Sequence, residues 1–137
     1  MGFMDKLGSL FNTKDGEIQR AYQAYDRASD LLGQRDKNPE FTKTEELEEA
    51  VKEAEGLSLG LLENYEGNKA WPGIFREMHM NLTRLWLQTG KYEEALKQCD
   101  KIAEYNAMDA EELRETVQEA MSGKKLEATQ LDEVGVA

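Results

Sequence analysis

A chain with one histidine and one cysteine has few ways to build a catalytic or metal centre. His79 stands between Met78 and Met80, makes no two-His metal motif and has no cysteine near it in sequence, so packing or surface exposure is its expected use. A single thiol excludes an intramolecular disulfide and any Cys-rich metal site. Cys99 falls on the apolar side of its helical pattern and reads as a small buried hydrophobe. Glu45, Glu46, Glu48 and Glu49 cluster at a helix start, where the dipole stabilises negative charge, and read as a solvated face. No Asp-x-Asp-x-Asp-Gly loop and no Gly-rich phosphate loop occurs. Asn81-Leu82-Thr83 has the form of a glycosylation sequon but lies inside a helical pattern. These residues give no enzyme, metal or cofactor expectation.

The remaining chemistry is that of surfaces. The formal charge is -11, from 17 basic against 28 acidic residues. That argues against nucleic acid, whose phosphates need a basic face, and against charge-driven binding to anionic membranes. It favours a protein or peptide partner with a basic patch. Uninterrupted apolar runs extend only a few residues, too short for a membrane span, and no signal-peptide pattern is seen, so a cytoplasmic location is expected. Gly2 is followed by Lys6 where a myristoylation motif wants Ser or Thr.

At 137 residues the chain makes one domain with room for a core. Only two prolines and frequent Glu, Lys, Leu, Ala and Gln predict an all-α fold, and no alternating β-branched run suggests a sheet. The strongest pattern lies between Ile74 and Asn106. Phe75, Met78, Leu82, Leu85 and Trp86 recur at steps of three and four, the spacing of one helix face. Pro72 suits the helix start, and Gly90 supplies the freedom for a sharp reversal. Tyr92, Ala95, Leu96, Cys99, Ile102 and Ala103 then form a second apolar stripe, opposed by Glu93, Glu94, Lys97, Asp100, Lys101 and Glu104. The pattern predicts two helices meeting across a Gly turn.

Gly90, Tyr92, Ala95 and Leu96, with Asn81, Leu82 and Trp86 at compatible places in the first arm, resemble a tetratricopeptide (TPR) repeat. The sequence departs from the family at His79, where Trp is favoured, at Ile102, where Ala is favoured, and at Ala107, where Pro is favoured. The likeness covers one repeat of about 34 residues, a quarter of the chain. It implies a right-handed stack of antiparallel hairpins whose inner groove is lined by first-arm side chains. By that resemblance Asn81, Arg84 and Gln88 are the partner-binding candidates, followed by His79 and Lys91.

The rest of the chain fits around this hairpin. Residues 1–12 carry an amphipathic stripe of Phe3, Met4, Leu7, Leu10 and Phe11, weakened as a helix by Gly2 and Gly8, which suits docking on the domain, a partner or a membrane interface. A domain at 13–123 follows. A helix is predicted from about Glu17 to Leu32, stopped by Gly33. A second is predicted from a Thr42/Glu45 capping box to about Glu66, continuous through Gly56 and Gly60. Trp71, beside Pro72, is expected to plug the end of the core. A last helix is predicted from Asp109 to Gly123, leaving 124–137 as a flexible polar tail.

The expected function is a non-catalytic adaptor, co-chaperone or assembly factor. The alternative is an oligomeric structural protein assembled through its N-terminal segment, with the homo-oligomer as partner. A small helical enzyme would require a deep pocket lined by Tyr22, Tyr25, Tyr65 and Trp86.

Overall fold

The computed structural model describes the backbone of residues 14–68 and 71–136 and the side chains of 16–67 and 71–123. The amphipathic segment 1–12 and its docking lie outside the described residues. The described chain is all-α, as expected: α1 (Lys14–Lys37), α2 (Thr44–Tyr65), a 3-10 turn (Glu66–Asn68), α3 (Pro72–Gln88), α4 (Tyr92–Ala103) and α5 (Ala107–Val136), with no strand among the described residues.

Each helix packs against the next, and α3 also touches α1 and α5. Ile18, near the start of α1, meets Leu61 and Leu62 near the end of α2. Leu31 and Leu32 at the other end of α1 meet Leu47. The two helices are therefore antiparallel. Their crossing is lined by Ala24, Ala28, Ala50 and Ala54, all buried, which lets the backbones approach closely. The cluster holding Ile18, Leu61 and Leu62 extends to Phe75, Met78, Leu82 and Trp86 of α3, Ala95 of α4 and Val117 of α5. Cys99 is fully buried, as its place on the apolar stripe predicts. Trp71 packs on the same core, with ring centroids 5.8 Å from Tyr65 and 5.9 Å from Phe75, the plugging position expected of it.

The Gly90 turn forms as the spacing predicts. Gly90 takes φ +83°, the left-handed region where a side chain is strained. Its N–H donates to the Leu87 carbonyl at 3.4 Å and the Lys91 N–H donates to that of Trp86 at 2.7 Å, closing a Schellman motif. The helix through Gly56 and Gly60 is continuous, also as expected.

Several helix ends differ from the sequence reading. Helix α1 does not stop at Gly33 but runs to Lys37. Its last turn is tied down by Arg35, whose Nη2 donates to the Gln88 carbonyl at 3.0 Å, and Pro39 then disfavours helix at Asn38. Helix α2 begins at Thr44 behind Lys43, without a side-chain cap, so the Thr42/Glu45 box is not used. Glu45 and Glu46 in its first turn complement the dipole instead. Helix α5 begins at Ala107, capped by Asn106, whose Oδ1 accepts the Asp109 N–H at 3.0 Å, and its backbone passes through Gly123 to Val136.

Two glycines give substitutions of opposite sign. Gly90→Ala forces a left-handed alanine and should cost about 1–2 kcal/mol. Gly33→Ala, in mid-helix with open space for a Cβ, should stabilise by roughly 0.5–1 kcal/mol. Urea denaturation followed by circular dichroism measures both.

Candidate functional site

The stripe of α3 that is not committed to the core carries Arg76, Glu77, Met80, Asn81 and Arg84, again at helical spacing. Helix α1 faces it with Tyr22, Tyr25 and Asp26, and Asp109 in the first turn of α5 closes the end. Together these residues line a groove of about 320 Å³. The groove exists because α1, α3 and α5 converge there while α2 and α4 pack behind them.

Internal pairing fixes part of its lining. The Tyr22 hydroxyl donates to Glu77 Oε2, tying α1 to α3. Burial first, then that hydrogen bond, pushes the Tyr22 phenol well above its ordinary range. Arg76 Nε lies 3.7 Å from Asp109 Oδ2, so an ion pair joins α3 to α5, while the same buried nitrogen makes no hydrogen bond. Arg84 Nη1 donates to Asn81 Oδ1 at 3.3 Å. Among the described residues, neither Asp26 nor Arg84 has an ion-pair partner, and they approach the groove from opposite helices. A groove with one carboxylate and one guanidinium outside any described ion pair, and with two tyrosines, can hold an extended polar chain.

Away from the groove, α3 carries a second polar cluster that sequence reasoning treated as ordinary packing. His79 is buried at 4% exposure. Its Nε2 lies 2.6 Å from Glu66 Oε2 and its Nδ1 2.6 Å from Gln98 Oε1. The Tyr105 hydroxyl donates to the same Glu66 oxygen at 2.6 Å, and the Tyr105 ring stacks on the imidazole with centroids 6.2 Å apart. The cluster joins the 3-10 turn, α3, α4 and the α4–α5 connection. Burial, followed by the hydrogen bond to Glu66, raises the Tyr105 phenol above its ordinary range. Burial likewise raises the Cys99 thiol, opposing the thiolate that a nucleophile would need.

Of the residues the sequence nominated, Asn81 and Arg84 line the groove together. Gln88, His79 and Lys91 do not. Gln88 is exposed at the end of α3, where its carbonyl accepts Arg35. His79 is turned to the polar cluster. Lys91 Nζ lies 3.6 Å from Glu55 Oε1 on α2. Tyr22, Tyr25, Asp26, Arg76, Glu77, Met80 and Asp109 were not nominated. The steps of four linking Arg76, Met80 and Arg84 were a usable signal, whereas the contributions of α1 and α5 are tertiary. Tyr22 and Tyr25 enter this groove, but Tyr65 packs against Trp71 and Trp86 lies in the core, so the four do not form one pocket. No protein-family model, curated protein or solved structure matches this chain.

Removing the imidazole leaves Glu66 and Gln98 without their partner in a part-buried site. His79→Ala should therefore cost about 2–4 kcal/mol, and Tyr105→Phe about 1 kcal/mol, by urea denaturation. A pH series checks the tyrosine separately. The folded chain holds the Tyr105 proton more tightly than the unfolded chain, so its contribution is complete below the ordinary tyrosine value near 10 and declines as pH rises past it. Above that pH the parent protein should lose stability more steeply than Tyr105→Phe.

Proposed function

We propose that this protein is a non-catalytic scaffold that holds an extended segment of a partner protein in the groove between α1, α3 and α5. The observation that carries the reading is the placement of Asn81 and Arg84 on one wall of that groove, with Asp26 and the two tyrosines opposite. Such a wall can hydrogen-bond a peptide backbone through an amide, pair with a carboxylate through Arg84 and with a basic side chain through Asp26. The strongly negative chain favours a partner that is basic overall.

A TPR-like stack is the architecture we propose for this arrangement. It is supported by the order of packing, in which α3 touches α1 and α5 while α2 and α4 fill the spaces behind. The Gly90 turn and the fully buried Ala95 at the α3–α4 contact support it too. Ala107 stands at the first helical position of α5, where proline is at home, so this departure from the family pattern is conservative in backbone terms. His79, the departure in α3, is engaged at both ring nitrogens and serves as a brace between helices.

A display library of random twelve-residue peptides tests the proposal directly. Enriched peptides should share a register of basic and acidic positions. Their affinity should fall about tenfold or more with Arg84→Ala or Asp26→Ala, equivalent to roughly 1.4 kcal/mol, and less with Asn81→Ala. Gln88→Ala and Lys91→Ala, outside the groove, should leave it unchanged. Failure to enrich any peptide, or enrichment insensitive to Arg84 and Asp26, would reject the groove as the binding site.

A further inference from the structure

The polar cluster around His79 sets a condition on protons. The buried ring meets an oxygen at each nitrogen, Glu66 Oε2 at Nε2 and Gln98 Oε1 at Nδ1, both at 2.6 Å. A neutral imidazole carries one N–H and one acceptor nitrogen. An amide oxygen has no proton to give, and neither has an ionised carboxylate. The Glu66 oxygen is, moreover, already accepting the Tyr105 hydroxyl at 2.6 Å. Both ring nitrogens must therefore donate, which makes the ring an imidazolium. The lengths agree with a charged donor: N–H···O bonds between neutral groups centre near about 2.9 Å, and charge-assisted ones are shorter.

We infer that this cluster is a proton-gated brace on the connector between α2 and α3. The charged ring holds Glu66 of the 3-10 turn against Gln98 of α4, and loss of one ring proton loosens the connector. The groups facing the ring are Glu66 from the turn, Gln98 from α4 and Tyr105 from the α4–α5 connection. On α3 itself, Thr83 gives its hydroxyl to the His79 carbonyl. Glu104, beside Tyr105, is exposed. Among the described residues, the cation that Glu66 pairs with is the imidazole, whereas Arg76, Lys91 and Arg114 pair with Asp109, Glu55 and Asp100. A ring that turns neutral has one N–H for two oxygens, so one bond is lost or the Gln98 amide must turn over. The ion pair is lost in either case, leaving a part-buried carboxylate with Tyr105 alone. The brace is therefore complete while the ring is charged. It weakens as pH rises through the range in which histidine gives up a proton, about pH 5 to 8.

The full chain labelled with nitrogen-15 provides the test, because its single histidine assigns every imidazole signal to His79. At about pH 6 both ring nitrogens should show the chemical shifts of protonated nitrogen, and by about pH 8 one should have moved to the unprotonated position. Three amides report the connector and its anchor: Glu66, which donates to Leu62, and Tyr105 and Asn106, which donate to Ile102. Over the same range they should exchange with solvent about tenfold faster than the intrinsic pH dependence of exchange accounts for. Ala28 and Ala50, in the α1–α2 contact, should show no such excess. Glu66→Gln keeps an acceptor but removes the charge, and should abolish the excess. Tyr105→Phe leaves both ring contacts in place and should retain it. The inference is overturned if one ring nitrogen is unprotonated at about pH 6, the state in which Gln98 presents its amide nitrogen to a neutral ring. It is also overturned if the ring titrates without a change in exchange, or if Glu66→Gln keeps the parent's pH dependence. The first two outcomes are read on the parent chain and stand whether or not Glu66→Gln folds.

Discussion

The fold depends on one helix being buried on more than one side. Helix α3 is touched by every other helix, and it gives Phe75, Met78, Leu82 and Leu85 to the interior with no exposed surface at all. Burial of side chains that size is worth about 1.5–3 kcal/mol each, far more than any of the surface ion pairs can contribute. The order of the other helices follows from covering that apolar circumference. What is left uncovered is a narrow polar stripe, and the groove is that stripe seen with α1 and α5 on either side of it.

This explains why polar chemistry is concentrated on α3 and not spread over the acidic surface. Most charged residues lie on solvated faces, where the Arg27 pairs with Glu46 and Glu53, at 3.6 and 3.7 Å, are screened and worth little. On α3 several polar groups are partly or wholly removed from water and find partners, although the buried Arg76 Nε and Trp86 Nε1 make no hydrogen bond. Thr83, fully buried, returns its hydroxyl to the His79 carbonyl at 2.8 Å. His79 finds two oxygens, and Tyr22 finds Glu77. Asp26 and Arg84, which have no ion-pair partner among the described residues, are the ones lining the groove.

Local features of the sequence were the most legible. Pro72, Gly90 and the apolar stripes of α3 and α4 act within a few residues of themselves, so the hairpin follows from spacing alone. Helix α2 was readable through its glycines because Leu47, Val51, Ala54, Ser58, Leu61 and Leu62 keep one face across them, and all are buried. The end of α1 was not readable, because it depends on Arg35 meeting a carbonyl on α3, 53 positions away. The polar cluster was hidden for the same reason: its histidine gave no signal beyond Met78 and Met80, while its partners lie 13 and 19 residues off. Asn81 and Arg84 were found through a resemblance to a repeat pattern, and Gln88 was lost because α3 ends there and its side chain turns to solvent.

The two polar regions of α3 have a joint mechanical meaning. At about 100° per residue, His79 points roughly 100–160° away from Met80, Arg84 and Asn81. Both sets ride on a single stiff rod between the Pro72 start and the Gly90 turn. The bonds from His79 to Glu66 and Gln98 therefore fix the rotation at which α3 presents Asn81 and Arg84 to the groove.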